Sequence, residues 1–224
     1  PYFLTLIGHD FLWFALEKAH PESHTPKALP MLELTTWKSL VEREMLESLE
    51  ESILFNYLMK MRWFGGKGRI IERIRIIKHA RIPMADDNAL IFLVEVHYGS
   101  GLPETYQLPV AFGKGAVATK ISDNCPQAVI CRLRIGGEDG ILYDAIYGYD
   151  FQQVVFHKMS YNQSISLKSS KIDFYGNKNL KKRLQEYGKV VPKVLGGEQS
   201  NTSIIYDNLY FLKIYRKVDR AINP

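Results

Sequence analysis

The sequence predicts an α+β protein built around an antiparallel β-sheet, and patterns of two kinds support this class. A stretch from about residue 37 to residue 61 has apolar side chains at helical spacing. Several later segments alternate apolar and polar residues, as half-buried strands do. Short glycine-containing segments such as 99–101 separate these strands, which favours an antiparallel meander.

The long helix predicted over residues 37–61 begins after Thr35 or Thr36, either of which is suited to cap it. Its apolar residues recur on one face, and its glutamates lie mostly on the opposite face. The glutamates near its start are also favourable for the helix dipole. The glycine-rich segment 64–68 ends the helix.

The rest of the chain is divided into short strands and two short helices. An alternating segment contains Arg73 and Arg75, and further strands are predicted at residues 89–98, 105–112 and 128–135. Residues 141–146 fit a strand or a helix. Helices are predicted at residues 150–160, with Asp150 as the cap, and at residues 180–187.

Two segments precede the long helix. Residues 1–17 contain two short apolar runs around Gly8-His9-Asp10, which is a hairpin pattern. Residues 19–36 carry Pro21, Pro26 and Pro30, so they are predicted to be a linker. The first residues include neither Met nor a basic leader, and both termini are expected to be cuts inside a longer protein.

Composition excludes several classes of protein. The net charge of +5 comes without a long block of Lys or Arg, so we expect a solvated basic surface and no nucleic-acid binding. The chain has 2 cysteines, too few for a disulfide scaffold, which fits a reducing cytoplasm. No apolar run is long enough to span a membrane. The 6 histidines do not cluster, so no metal site is predicted.

The most informative segment is a hairpin near the end of the chain. Small and polar residues fill positions 196–203, and two apolar strands follow, joined at Asp207-Asn208. Lys213 is the only charge inside the second strand, and alternation places it on the face of Phe211 and Tyr215. Such a lysine either discourages aggregation at an edge or meets an anion. The preceding loop has small residues and donors for a phosphate, although it matches neither common glycine-rich phosphate motif.

A second unusual segment is Arg-Trp-Phe-Gly-Gly-Lys-Gly-Arg at residues 62–69. One interpretation is a flexible loop that binds an anion or contacts another domain. The favoured interpretation is structural: Gly65 or Gly66 ends the helix in the left-handed region, and Trp63 and Phe64 pack under the sheet.

Three segments together resemble one bacterial enzyme fusion. Residues 1–16 are similar to the end of a trehalose synthase, in the β-sandwich that follows its barrel. The 62–69 segment and Tyr106-Gln107-Leu108-Pro109 resemble the N-terminal cap of maltokinases. Gln199-Ser200-Asn201-Thr202-Ser203, the strand with Lys213 and the final Ile-Asn-Pro resemble the start of the maltokinase nucleotide-binding lobe.

The resemblance implies a domain order and an activity. Residues 1–18 would end the synthase sandwich, 19–36 would be a linker, 37–178 the cap with a curved antiparallel sheet and packed helices, and 179–224 a partial kinase-like lobe. The parent enzyme would use ATP and Mg²⁺ to phosphorylate maltose to maltose 1-phosphate. The resemblance assigns nucleotide binding to Lys213, which would contact the α- and β-phosphates, and to Gln199, Ser200, Asn201, Thr202 and Ser203.

The same resemblance limits what this chain can do alone. The catalytic and metal-holding residues of such a kinase belong to its other lobe, so no catalytic residue is assigned here, and we expect no cofactor bound to the fragment. Its partners would be maltose, ATP and a synthase domain in the same polypeptide, and a homodimer is compatible with the pattern. The alternative function is a non-catalytic module that tethers trehalose synthase to a partner enzyme.

Overall fold

The structure, a computed structural model, describes residues 29–84, 88–167, 171–196 and 200–219. Its first half runs β1 (Met31–Leu34), α1 (Arg43–Ser48), α2 (Leu54–Lys60), β2 (Ile71–Pro83), β3 (Asn88–Tyr98), β4 (Glu104–Lys114), α3 (Gly115–Asn124), β5 (Val129–Ile135) and β6 (Glu138–Asp144). Its second half runs α4 (Tyr149–Ser160), β7 (Ser164–Ser166), β8 (Lys171–Asp173), α5 (Lys178–Tyr187), β9 (Pro192–Leu195), β10 (Asn201–Tyr206), β11 (Tyr210–Tyr215) and β12 (Lys217–Val218). The α+β class with a curved, mostly antiparallel sheet is confirmed.

A seven-stranded sheet forms the centre of the molecule, in the order β1-β5-β6-β4-β3-β2, with β12 added beside β4. Only β1 and β5 pair in parallel within this sheet. One edge of β4 is shared between two partners: β6 pairs with residues 110–114, and β12 pairs with Thr105 and Tyr106. The end of the described chain is therefore part of the central sheet.

The long helix predicted over residues 37–61 is helical but interrupted. A 3₁₀ segment at Trp37–Val41 ends at Glu42, whose backbone is extended, and a π-helical turn at Leu49–Ile53 joins α1 to α2. One face of this region is buried against the sheet with Phe92, Val94 and Leu108. Glu50 lies at its sheet side and accepts a hydrogen bond of 2.6 Å from the backbone N–H of Ile76 on the edge strand β2.

A second core joins the helices of the second half to the terminal hairpin. β9, β10 and β11 form a three-stranded antiparallel sheet in the order β11-β10-β9. One face of it, including Ile204 and Tyr206, packs with Phe156 of α4 and Leu184 of α5. The predicted turn at 207–208 is confirmed, since both residues have positive φ and Leu209 N–H donates to the Tyr206 carbonyl.

Several local predictions differ from the structure. Met31–Leu34 form a strand inside the proline-rich segment predicted as a linker, because they find a partner in β5. Asp150 lies in the first turn of α4, whose cap is Gly148. Residues 138–144 form a strand and residues 145–147 a 3₁₀ turn, which resolves the open choice at 141–146. The hairpin predicted at residues 1–17 lies outside the described residues.

No helix in the described ranges is long and apolar enough to cross a membrane.

Candidate functional site

The residues predicted to bind nucleotide lie on β10 and β11 or just before them. Lys213 occupies the middle of β11, directly opposite Ser203 on β10, and Leu195 of β9 lies opposite Ser203 on the other side. Asn201 begins β10, and the exposed Ser200 precedes it. Gln199 lies outside the described residues.

The open face of this small sheet carries Lys213. Directly paired residues share a face, so Lys213 lies with Ser203, and its strand neighbours Phe211 and Tyr215 lie on the same side. Phe211 is 59% exposed and Tyr215 is 48% exposed. The Lys213 ammonium lies 5.5 Å from the centre of the Tyr215 ring. The predicted alternation is therefore correct: Lys213 is exposed beside the two aromatic rings, whereas Ser203 on the same face is 0% exposed.

Thr202 has the opposite orientation from its neighbours. It pairs with Ile214 on the buried face of the sheet, and its hydroxyl accepts a hydrogen bond of 2.8 Å from Nε of Arg216. The structure thus brings Lys213, Ser203 and Asn201 to one face and turns the side chain of Thr202 toward the interior. Any phosphate contact of Thr202 would have to use its backbone.

A buried ion pair lies on that interior side. Arg216 Nη2 donates to Asp144 Oδ2 over 2.6 Å, and both side chains are 0% exposed. The hydroxyl of Tyr57 donates to the same carboxylate oxygen over 3.1 Å, and the guanidinium carbon lies 4.8 Å from the centre of the Trp63 ring. Burial and the charge of Asp144 raise the pKa of Tyr57 well above its ordinary value, so its hydroxyl keeps its proton and donates.

A second polar cluster surrounds Glu104 at the start of β4. Its carboxylate accepts from the hydroxyls of Tyr98 and Tyr106 at 2.9 and 2.6 Å, and from Lys217 at 2.9 Å. Arg69 lies 3.2 Å from the same group and 3.4 Å above the Tyr98 ring. Burial alone would raise the pKa of Glu104, but the hydrogen bonds from Tyr106, Lys217 and Tyr98 lower it to about 2. The carboxylate therefore stays charged and ties β12 to the sheet.

The 62–69 segment forms part of this junction. Trp63 and Phe64 are buried and pack against the ring of Tyr106, as the structural interpretation predicts. The prediction that Gly65 or Gly66 adopts the left-handed conformation was wrong, because neither residue has a positive φ. The helix ends instead in an extended Met61, and a 3₁₀ turn follows at Gly65–Gly68. A glycine is needed at residue 66 for space, not for backbone conformation.

Replacing Gly66 with alanine should destabilise the chain by about 1–3 kcal/mol, because an added methyl overpacks the core. A Cβ at residue 66 would lie 2.5 Å from Phe64 and 2.6 Å from the Tyr98 hydroxyl oxygen. Gly68 is the matched control, since a Cβ there meets nothing within 4 Å. Urea unfolding of Gly66→Ala and Gly68→Ala tests this, and equal midpoints for the two variants would contradict it.

A cavity of about 330 Å³ lies between residues 60–63 and the start of β10. Trp63, Asn201 and Thr202 line it, and Lys213 is not among the lining residues described. Within the described ranges, no group of three or more His, Cys, Asp or Glu residues could hold a metal ion.

Residues 57–147 match the family model of the maltokinase N-terminal cap domain. This part of the chain is therefore similar to the cap domain of maltokinases. The match begins at Tyr57 and ends at Tyr147, so it contains Trp63, Glu104 and Asp144. Arg216 and Lys217, the partners of the two carboxylates, lie beyond it.

Sequence reasoning missed Asp144 and Arg216 as paired residues. Asp144 is a lone acid in an apolar stretch, and Arg216 directly follows the apolar strand that carries Lys213. For both residues, the signal available in the sequence was a charged side chain next to an apolar strand. The pairing itself joins residues 72 positions apart, so it required the fold.

Proposed function

We propose that this chain is the cap and the first nucleotide-binding strands of a maltokinase, which transfers the γ-phosphate of ATP to the anomeric hydroxyl of maltose. The proposal rests on the order in which two structural units follow each other along the chain. A maltokinase-related cap is followed by a three-stranded antiparallel sheet whose third strand, β11, carries an exposed Lys213. In protein kinases the phosphate-contacting lysine also lies on the third strand.

Each predicted residue has a role in this proposal. Lys213 would approach the α- and β-phosphates from the open face of β11, where its ammonium is already in solvent. The segment 199–203, which leads from the β9–β10 connection into the first residues of β10, would cover the phosphates through backbone N–H groups and the side chains of Ser200 and Asn201. Phosphoryl transfer depends mainly on positioning and charge stabilisation, so these donors serve the chemistry without forming a covalent bond.

The remaining parts of the machinery would come from outside this chain. Mg²⁺ neutralises charge on the phosphates when bound, and we assign its ligands and the catalytic base to the other kinase lobe. We further propose that a trehalose synthase precedes the cap in the same polypeptide, with residues 1–18 as its final strands, and that the enzyme acts in the cytoplasm.

The direct test is a phosphorylation assay with the complete protein, ATP and Mg²⁺. We expect maltose to be converted to maltose 1-phosphate, with a phosphorus NMR signal split by the anomeric proton. Trehalose is the matched control, because it has no free anomeric hydroxyl and should remain unmodified. Failure to phosphorylate maltose would overturn the proposal, and saturable binding of a synthase domain without turnover would favour the tethering module.

A further inference from the structure

We propose that Arg216 is a positioning residue that locks the lysine-bearing strand and the phosphate-covering segment onto the cap. This inference rests on the proposed function, because it concerns how the same nucleotide site is held. Arg216 follows Lys213 by three residues on the same stretch of chain, yet its side chain is fully buried while Lys213 is exposed. It does not touch the nucleotide face and would act through other groups.

The guanidinium connects three parts of the molecule. It is carried by the chain at the end of β11, its Nη2 holds Asp144 at the end of β6, and its Nε holds Thr202 at the start of β10. Thr202 is in the segment proposed to cover the phosphates, and Asp144 belongs to the matched cap. One side chain thus fixes the spacing between both nucleotide-binding strands and the cap.

The carboxylate that receives Arg216 is itself fixed. Asp144 Oδ1 accepts from the backbone N–H of Ile146 at 3.1 Å, and Oδ2 accepts from Tyr57 on α2. Trp63 covers the guanidinium from one side. Because every partner is buried and anchored to a different element, the pair has little freedom to adopt a second geometry.

Backbone contacts show that the same short stretch is attached to the sheet. Gln107 on β4 donates its backbone N–H to the Arg216 carbonyl over 2.8 Å and its side-chain amide to the Tyr215 carbonyl over 2.6 Å. Lys217 then pairs with Glu104 at a partly exposed site, where the lysine side chain is 45% exposed. The junction therefore contains one buried and one partly exposed ion pair, and the second serves as a control.

A buried ion pair is weak evidence for stability as such, because matched neutral residues often replace it without loss. Its geometry is directional, however, and defines a distance and an orientation. Removing both charges together should therefore preserve folding better than it preserves the placement of β10 and β11. A displacement of about 1 Å at a reacting group can cost on the order of 100-fold in rate.

The test uses the double variant Arg216→Met with Asp144→Asn in the complete kinase. We expect KM for ATP to rise at least about tenfold and KM for maltose to change less than about twofold. The control Lys217→Met removes the partly exposed pair and should leave both values near those of the unmodified enzyme. A folded double variant with unchanged KM for ATP, or equal changes in both KM values, would overturn the inference.

A milder variant covers the case in which the double variant does not fold. Tyr57→Phe removes one hydrogen bond to Asp144 and keeps the ring, and we expect KM for ATP to rise about threefold. An unchanged value would overturn the inference.

Amide hydrogen exchange in the 224-residue chain separates this inference from the proposed function. For Tyr57→Phe, we expect amide exchange to accelerate, relative to the unmodified chain, more in β10 and β11 than in β3, even if the complete protein phosphorylates no maltose. Exchange rates equal to those of the unmodified chain would count against the positioning role.

Discussion

Replacement of Lys213 by alanine is expected to lower the maltose phosphorylation proposed for the complete protein on the order of 100- to 1000-fold, as loss of a preorganised charge contact commonly does. The proposed phosphate contact would lose its cation, while the exposed side chain makes no buried contact that folding needs. The thermal midpoint should therefore change little. Initial rates and thermal unfolding of the purified variant are the measurements.

Lys193 offers a matched control for this experiment. It lies on β9 opposite Ile205, on the same face of the three-stranded sheet as Lys213, and it is also exposed. Lys193→Ala removes the same charge from the same face at a different strand. If both variants lose activity equally, the effect is a general one of surface charge, and unchanged turnover in Lys213→Ala would rule out the assigned role.

Replacement of Arg216 alone by methionine is expected to destabilise the chain by about 3–5 kcal/mol, because it leaves the buried carboxylate of Asp144 without its cation. Asp144 would retain only the hydrogen bonds from Tyr57 and Ile146. Adding Asp144→Asn removes the unpaired charge and should restore most of the lost stability. Urea unfolding of the single and double variants in the 224-residue chain measures both effects.

The contrast with an exposed pair makes this prediction specific. Arg43 and Glu47 form an ion pair one helical turn apart, with side chains 90% and 49% exposed. Arg43→Met should leave the unfolding midpoint unchanged, since exposed pairs contribute little. A single Arg216→Met variant as stable as Arg43→Met would show that the buried pair is not needed for folding.

The sheet and the hairpin were accessible from sequence because each depends on local pattern. Alternation identified β3, β4 and β5, and the break between two apolar runs marked the turn at Asp207-Asn208, where both residues have positive φ. It also placed Lys213 on the correct face of β11. A period of two residues is visible in any single strand, so these features needed no knowledge of the partner strand.

The missed features depend on contacts between distant segments. β1 lies in a proline-rich stretch and becomes a strand through its pairing with β5. β12 is two residues long and exists through its pairing with Tyr106 and Thr105. α3 buries only Ile121 among its described residues, so its apolar periodicity is weak. The Arg216–Asp144 pair belongs to the same class, because neither residue indicates its partner.

The addition of β12 to the edge of β4 has a practical consequence for how this protein is divided. A recombinant protein ending at residue 178 would leave residues 104–107 without the strand that lies beside them. It would also remove Arg216 from Asp144 and Lys217 from Glu104, which would keep Arg69 as a cation. Unpaired strand edges promote self-association. A fragment that keeps this edge of β4 covered should therefore extend through Val218, and truncation at residue 178 is expected to promote aggregation.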